Sequence, residues 1–72
     1  MTMRRVGANT VITPSATLTQ AVVEIYDGRV ANYYEFRDEL PMTEWLGGTI
    51  IVQRDSDGIL RALKDGTIIS DL

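Results

Sequence analysis

The sequence predicts an all-β fold, a small β-sandwich or partly open pseudo-barrel of about six or seven short strands. Three observations lead there. No segment carries apolar residues at the i, i+3, i+4, i+7 spacing of an amphipathic helix over three turns. β-Branched residues cluster in short runs, and Gly, Pro and Asp punctuate the gaps between those runs. The runs place strands at residues 3–7, 10–13, 20–26, 29–36, 49–54, 59–63 and 67–70.

The stretch "AVVEIYDGRV", residues 21–30, carries the clearest local signal. Asp27-Gly28 is a two-residue turn that tolerates positive φ at both central positions, so the flanking strands pair antiparallel with Tyr26 opposite Arg29. A regular ladder then sets Ile25 against Val30, Val23 against Asn32 and Ala21 against Tyr34 on one face. Val22 against Tyr33 and Glu24 against Ala31 fall on the other. Neither face is cleanly polar, which predicts a central hairpin or one whose second face meets something else. The turns "DSDG" and "KDG", at residues 55–58 and 64–66, predict a three-stranded meander at the C-terminal end. Between the halves, "RDELPMTEWLGG" reads as a connection. Pro41 and Gly47-Gly48 limit it to at most one helical turn near residues 43–46.

At 72 residues the chain is expected to form a single β domain over residues 1–72. A domain of this size buries only about 60% of the surface its unfolded chain exposes. It has no cysteine for a disulfide and no Cys/His set for a structural zinc, so extra burial is expected from self-association or a protein partner. The seven basic residues are scattered and outnumbered by ten acidic ones, for a net charge of -3, which argues against nucleic acid as a partner. No apolar run approaches the ~20 residues of a membrane helix, and "MTMRRVGANTV" lacks the apolar core and cleavage site of a secretory signal. The expectation is a cytoplasmic protein with no membrane contact.

The absence of histidine and cysteine removes triads, thiol chemistry and ordinary zinc sites, so no catalytic residue, no metal ligand and no cofactor are assigned, and the chain is not expected to be an enzyme. Glu39 with Glu44, or Asp55 with Asp57, offer carboxylates for acid/base work or a hard cation, but read more simply as solvated loop charges. An EF-hand match at "DSDG" fails, because its first position would be Gln53 and its twelfth Lys64. Gly47-Gly48 lacks the lysine of a phosphate-binding loop.

Candidate contact residues are therefore aromatic. Tyr33 and Tyr34 are adjacent on a strand and must point to opposite faces, so one lies outside the core. Trp45 in "TEWLGG" either tucks over the open end of the core or stands exposed as an anchor for a partner, with Glu44 beside it. Trp45, Tyr33, Tyr34 and Glu44 are the candidate interface or ligand contacts. The leading reading is a non-catalytic module that associates with itself or another protein. The alternative is a small-molecule-binding accessory protein with a pocket near Trp45.

The segment "ANTVITPSATLTQAVVEIYDGRV" resembles the N-terminal β segment of the metal-dependent amidohydrolase superfamily. The resemblance is carried by Val11, Ile12, Thr13 and Pro14, then Val22 to Ile25, then Asp27, Gly28, Arg29 and Val30. In that family the next strand leads to a Pro-Gly and a His-x-His metal motif opening a TIM-type barrel, whereas this chain continues through "YYEFRDELPMTEWLGG". Residues 49–70 are similar to the strands that return to the same β domain after the barrel, with Lys64, Asp65, Gly66, Thr67, Ile68 and Ile69 at the final turn and strand. The resemblance implies the small composite β domain of the family without its catalytic barrel. The fold then carries over and the activity does not, and the face that packs on the barrel in the family needs another cover.

Overall fold

The computed structural model describes residues 3–38 and 43–71. Seven strands form one mixed sheet: β1 (Arg4–Ile12), β2 (Thr17–Tyr26), β3 (Arg29–Glu35), β4 (Thr43–Trp45), β5 (Thr49–Arg54), β6 (Leu60–Lys64) and β7 (Thr67–Ile68). The spatial order is β3-β2-β1-β5-β6-β7, with β4 also beside β1. There is no helix among the described residues. The all-β expectation holds, as an open sheet that curls without closing into a barrel.

The curl has identifiable clasps. The Asp27 and Gly28 amides at the β2–β3 turn donate to the Asp71 carboxylate (2.7 and 3.0 Å), and the Arg61 guanidinium on β6 donates to the Gly28 carbonyl. These contacts bring the two ends of the sheet together around one core. Val6, Ala8 and Val11 from β1, Ala21, Val23 and Ile25 from β2, Ile50 and Val52 from β5, Ala62 and Ile69 fill it.

Four local readings change. The two strands expected at 3–7 and 10–13 are one strand, because β2 pairs along the whole of β1 from Arg4 to Ile12 and carries it across Gly7 and Asn9. Its inward positions shift parity along the way, from Val6 and Ala8 to Val11. On β2, Gln20 takes a positive φ of 51° opposite this shift.

The second change is in the hairpin. Asp27 (φ 55°) and Gly28 (φ 74°) make the expected turn, and Ile25 pairs with Val30. A β-bulge at Glu24/Ile25 then makes Ala31 an extra residue, so Glu24 faces Asn32, Val23 faces Tyr33 and Val22 faces Tyr34. The Asn32 Oδ1 accepts the Tyr33 amide at 2.9 Å. Because the strand period is two, a one-residue shift exchanges the faces of the two tyrosines relative to a regular ladder.

Third, residues 43–45 form β4 instead of a helical turn. β1 leaves one edge open, and β4 and β5 occupy it end to end, both parallel to it, at Arg5–Gly7 and Thr10–Ile12. Gly47 (φ 70°) and Gly48 (φ 63°) step the chain from one to the other. Their segment stays bonded to β1 through Leu46 N to Gly7 O (2.8 Å) and Thr10 N to Gly48 O (3.1 Å). Unpaired backbone on β1 thus outweighs the weak propensity of a three-residue segment. Fourth, the last strand stops at Ile68, since Ile69 turns into the core and donates its amide to Ala62 O (2.8 Å). Pro41, read as a helix breaker, lies outside the described residues.

Candidate functional site

The outer face of the sheet, opposite the core, is built from the residues that alternate with core positions. At the β3–β2–β1–β4 end, the register sets Tyr34 beside Val22, Val22 beside Gly7 and Gly7 beside Trp45. Val22 is fully buried yet stands apart from the inner core cluster, so this end has a small apolar cluster of its own. Trp45 covers it. A Cβ at Gly7 would lie 2.9 Å from the indole Cε3, so glycine provides the flat seat on which the six-membered ring rests. Phe36 meets the indole edge-to-face, with centroids 6.1 Å apart and planes at 82°. Even so, Trp45 is 52% exposed.

Beside this cluster, Glu24 Oε2 accepts from both Arg5 Nε (2.8 Å) and Tyr34 Oη (3.0 Å). The Arg5 hydrogen bond holds the Glu24 carboxyl below its ordinary range, against the opposing effect of burial. Burial, and then the Glu24 carboxylate, push the Tyr34 hydroxyl up.

At the other end, across β1–β5–β6–β7, the register sets Ile12 beside Ile51, Ile51 beside Leu63 and Leu63 beside Ile68. Ile12, Ile51 and Ile68 are 40%, 43% and 54% exposed, and Leu63 is half-buried. An apolar row therefore crosses four strands in the open. It amounts to roughly 300 Å², the size at which a patch on a monomer is often functional.

The four sequence-derived contact residues do not converge. Tyr33 turns inward and packs against the core. Tyr34 turns outward to Glu24, and Trp45 turns outward over Gly7. Glu44, next to Trp45 on β4, points the other way. There Arg4 Nε and Nη2 grip its carboxylate at 2.9 and 3.0 Å, while Arg4 Nη1 donates to Ser70 O at 2.6 Å. The Arg4 hydrogen bond lowers the Glu44 pKa. Arg4 thus joins Glu44 to the C-terminal segment, and Trp45 and Glu44 lie on opposite faces of β4.

Of the other carboxylates weighed from the sequence, Asp55 is held within its own turn. Asp55 Oδ1 accepts the Asp57 and Ile59 amides (2.9 and 3.0 Å) and its Oδ2 accepts from Arg61 Nε (2.9 Å). The Ile59 amide and then Arg61 lower its pKa. Glu39 lies outside the described residues. Among the described residues no three His, Cys, Asp or Glu side chains are grouped so as to hold a metal ion, and no helix is long and apolar enough to cross a membrane.

Sequence reasoning missed the apolar row and the Gly7 seat. The first had a signal, because in "TIIV" the inward pair Ile50 and Val52 obliges Ile51 to face out. The second had none, since Gly7 meets Trp45 only through the β1–β4 pairing.

No family model matches the sequence, and no curated protein matches it. Among solved structures, the fold is similar to part of the N-acetyl-D-glucosamine-6-phosphate deacetylase of Mycobacterium smegmatis, determined in complex with N-acetyl-D-glucosamine-6-phosphate, with a TM-score of 0.56 and 23% sequence identity. The match covers 72% of this chain and 13% of that one. At this identity the likeness is one of fold, to a small part of that enzyme.

Proposed function

We propose that this chain is a non-catalytic β module that works by self-association, pairing with a second copy through the exposed row Ile12, Ile51, Leu63 and Ile68. That row is the observation that carries the reading. It suits an isologous contact, because a two-fold axis between Ile51 and Leu63 sets Ile12 of each copy near Ile68 of the other and so matches aliphatic to aliphatic along its length. Two such faces stack as the layers of a sandwich do, about 10 Å apart.

Size supports the same reading. The molecule measures only 34 × 28 × 19 Å, so much of its chain lies at the surface. A small domain with no disulfide gains from association the burial its own core cannot supply. The non-catalytic part rests on the absence of histidine and cysteine from the sequence, and on a structural likeness confined to 13% of a much longer enzyme.

Sedimentation velocity at micromolar concentration tests this. The expected species has twice the 8.0 kDa chain mass, and Ile51→Lys returns it to monomer with an unchanged far-UV circular dichroism spectrum. A wild-type monomer throughout the micromolar range, or a dimer indifferent to Ile51→Lys, overturns the proposal. So does a gain in mass that requires a different protein.

A further inference from the structure

We infer that the corner formed by Trp45, Phe36 and Gly47 is a binding site for a hydroxyl-bearing saturated ring of the pyranose class. The inference rests on observations separate from the apolar row.

One face of the indole lies against Gly7, and much of the ring is open to solvent. Phe36 stands nearly perpendicular to it, with centroids 6.1 Å apart, so the indole face provides a floor braced by a second ring. An aromatic face carries negative quadrupolar charge, and the axial C–H bonds of a pyranose present the weakly positive, apolar surface that complements it. The floor is also pre-organised. The glycine seat and the Phe36 contact hold the indole in place, so little side-chain ordering opposes a ligand.

The polar edge of the corner determines the ligand's chemistry. Above Gly47, the place a Cβ would occupy has two near neighbours within 4 Å among the described residues, Asn9 Oδ1 and Trp45 Nε1, each 3.6 Å away. Asn9 Oδ1 accepts the Gly48 amide at 2.8 Å and keeps a second lone pair. The indole N–H has no acceptor among the described residues. The gap is thus bordered by one free donor and one free acceptor, and glycine leaves it unfilled. A hydroxyl accepts and donates at a single oxygen and satisfies both. A carboxylate or phosphate would set acceptor against the Asn9 oxygen, and an ammonium would leave the indole N–H unpaired.

Trp45 is the only tryptophan, so its indole gives a single side-chain signal in a ¹H–¹⁵N spectrum. Titration with methyl β-D-glucopyranoside is expected to move that signal saturably, with a dissociation constant on the order of millimolar. The fully O-methylated glucoside, which has the ring but no hydroxyl donor, is expected to bind at least tenfold more weakly.

Gly47→Ala fills the gap and should weaken binding about tenfold; because φ at this position is 70°, Trp45→Phe serves as the second variant. It keeps a ring over Gly7, lacks the N–H, and is read through the Gly47 and Gly48 amide signals, with the same tenfold loss. Ile51→Lys should bind as the wild type does, which separates this site from the dimer face. The inference is overturned by an indole signal that does not move at ~100 mM glucoside, a concentration far above such a constant. Equal binding of the O-methylated compound, or wild-type affinity in both Gly47→Ala and Trp45→Phe, also overturns it.

Discussion

The two ends of the outer sheet face solve one problem in different ways. Both carry apolar residues that alternate with the core. At the β3–β2–β1–β4 end the chain supplies its own cover, Trp45 over Gly7 with Phe36 against the indole, and the Arg5–Glu24–Tyr34 hydrogen bonds lie beside it. At the β1–β5–β6–β7 end nothing in the described chain covers Ile12, Ile51 and Ile68. The contrast teaches that exposure at the second end is not a general consequence of small size. Among the described residues, one apolar patch is covered by a three-residue strand and the other is left open.

The largest expected effect tests the contrast directly. Val22→Ala should cost about 2 kcal/mol of unfolding free energy in denaturant titrations of dilute protein, since it empties a fully buried site. Ile51→Ala under the same dilute conditions should stay within ~0.5 kcal/mol, as exposed substitutions do. Equal costs at the two positions would mean that the ends are not differently covered. Gly7→Ala comes next, at about 1 kcal/mol, because its Cβ would stand 2.9 Å from the indole and push the ring off its seat. Tryptophan emission should move to the red as the ring lifts from the sheet.

The smallest effect concerns pH. Arg5 lowers the Glu24 pKa, so its contribution is present above the ordinary carboxylate value of about 4 and fades as pH falls through the depressed value. Asp55, lowered by the Ile59 amide and Arg61, has the same sign. Glu24→Gln should therefore reduce the melting temperature slightly at pH 7, by an amount that shrinks as pH falls below the ordinary carboxylate range. The Tyr34 hydroxyl, raised by burial and Glu24, acts oppositely. Its contribution is complete below the ordinary tyrosine value of about 10 and is lost as pH rises through the folded one. A Glu24→Gln penalty that did not shrink at all on acidification would assign the role of Glu24 to packing.

Much of the fold was legible in the residues. The β2–β3, β5–β6 and β6–β7 connections follow from local turn chemistry, and Asp27-Gly28 and Asp65-Gly66 adopt the positive φ values their residue types allow. The candidate site was legible only in part. Trp45 was marked as either a cover over the open end of the core or an exposed anchor; it lies on the outer face over Gly7 and remains half exposed. Its expected companions dispersed: Glu44 by strand alternation, Tyr33 by the bulge at Ala31. A bulge leaves little mark in sequence because the residues around it have the same strand-forming character on either register.

What the sequence determined by itself was local: where the chain turns, which runs extend, and which chemistry is missing, because turn geometry and side-chain inventory depend on a few adjacent residues. The tertiary structure decided everything that needed two distant segments to meet. It drew residues 43–45 into a strand on the open edge of β1 and seated the indole on Gly7. It also aligned Ile12, Ile51, Leu63 and Ile68 into one row. The physical reason is that backbone pairing and face assignment depend on register between strands, and register is a property of the assembled sheet.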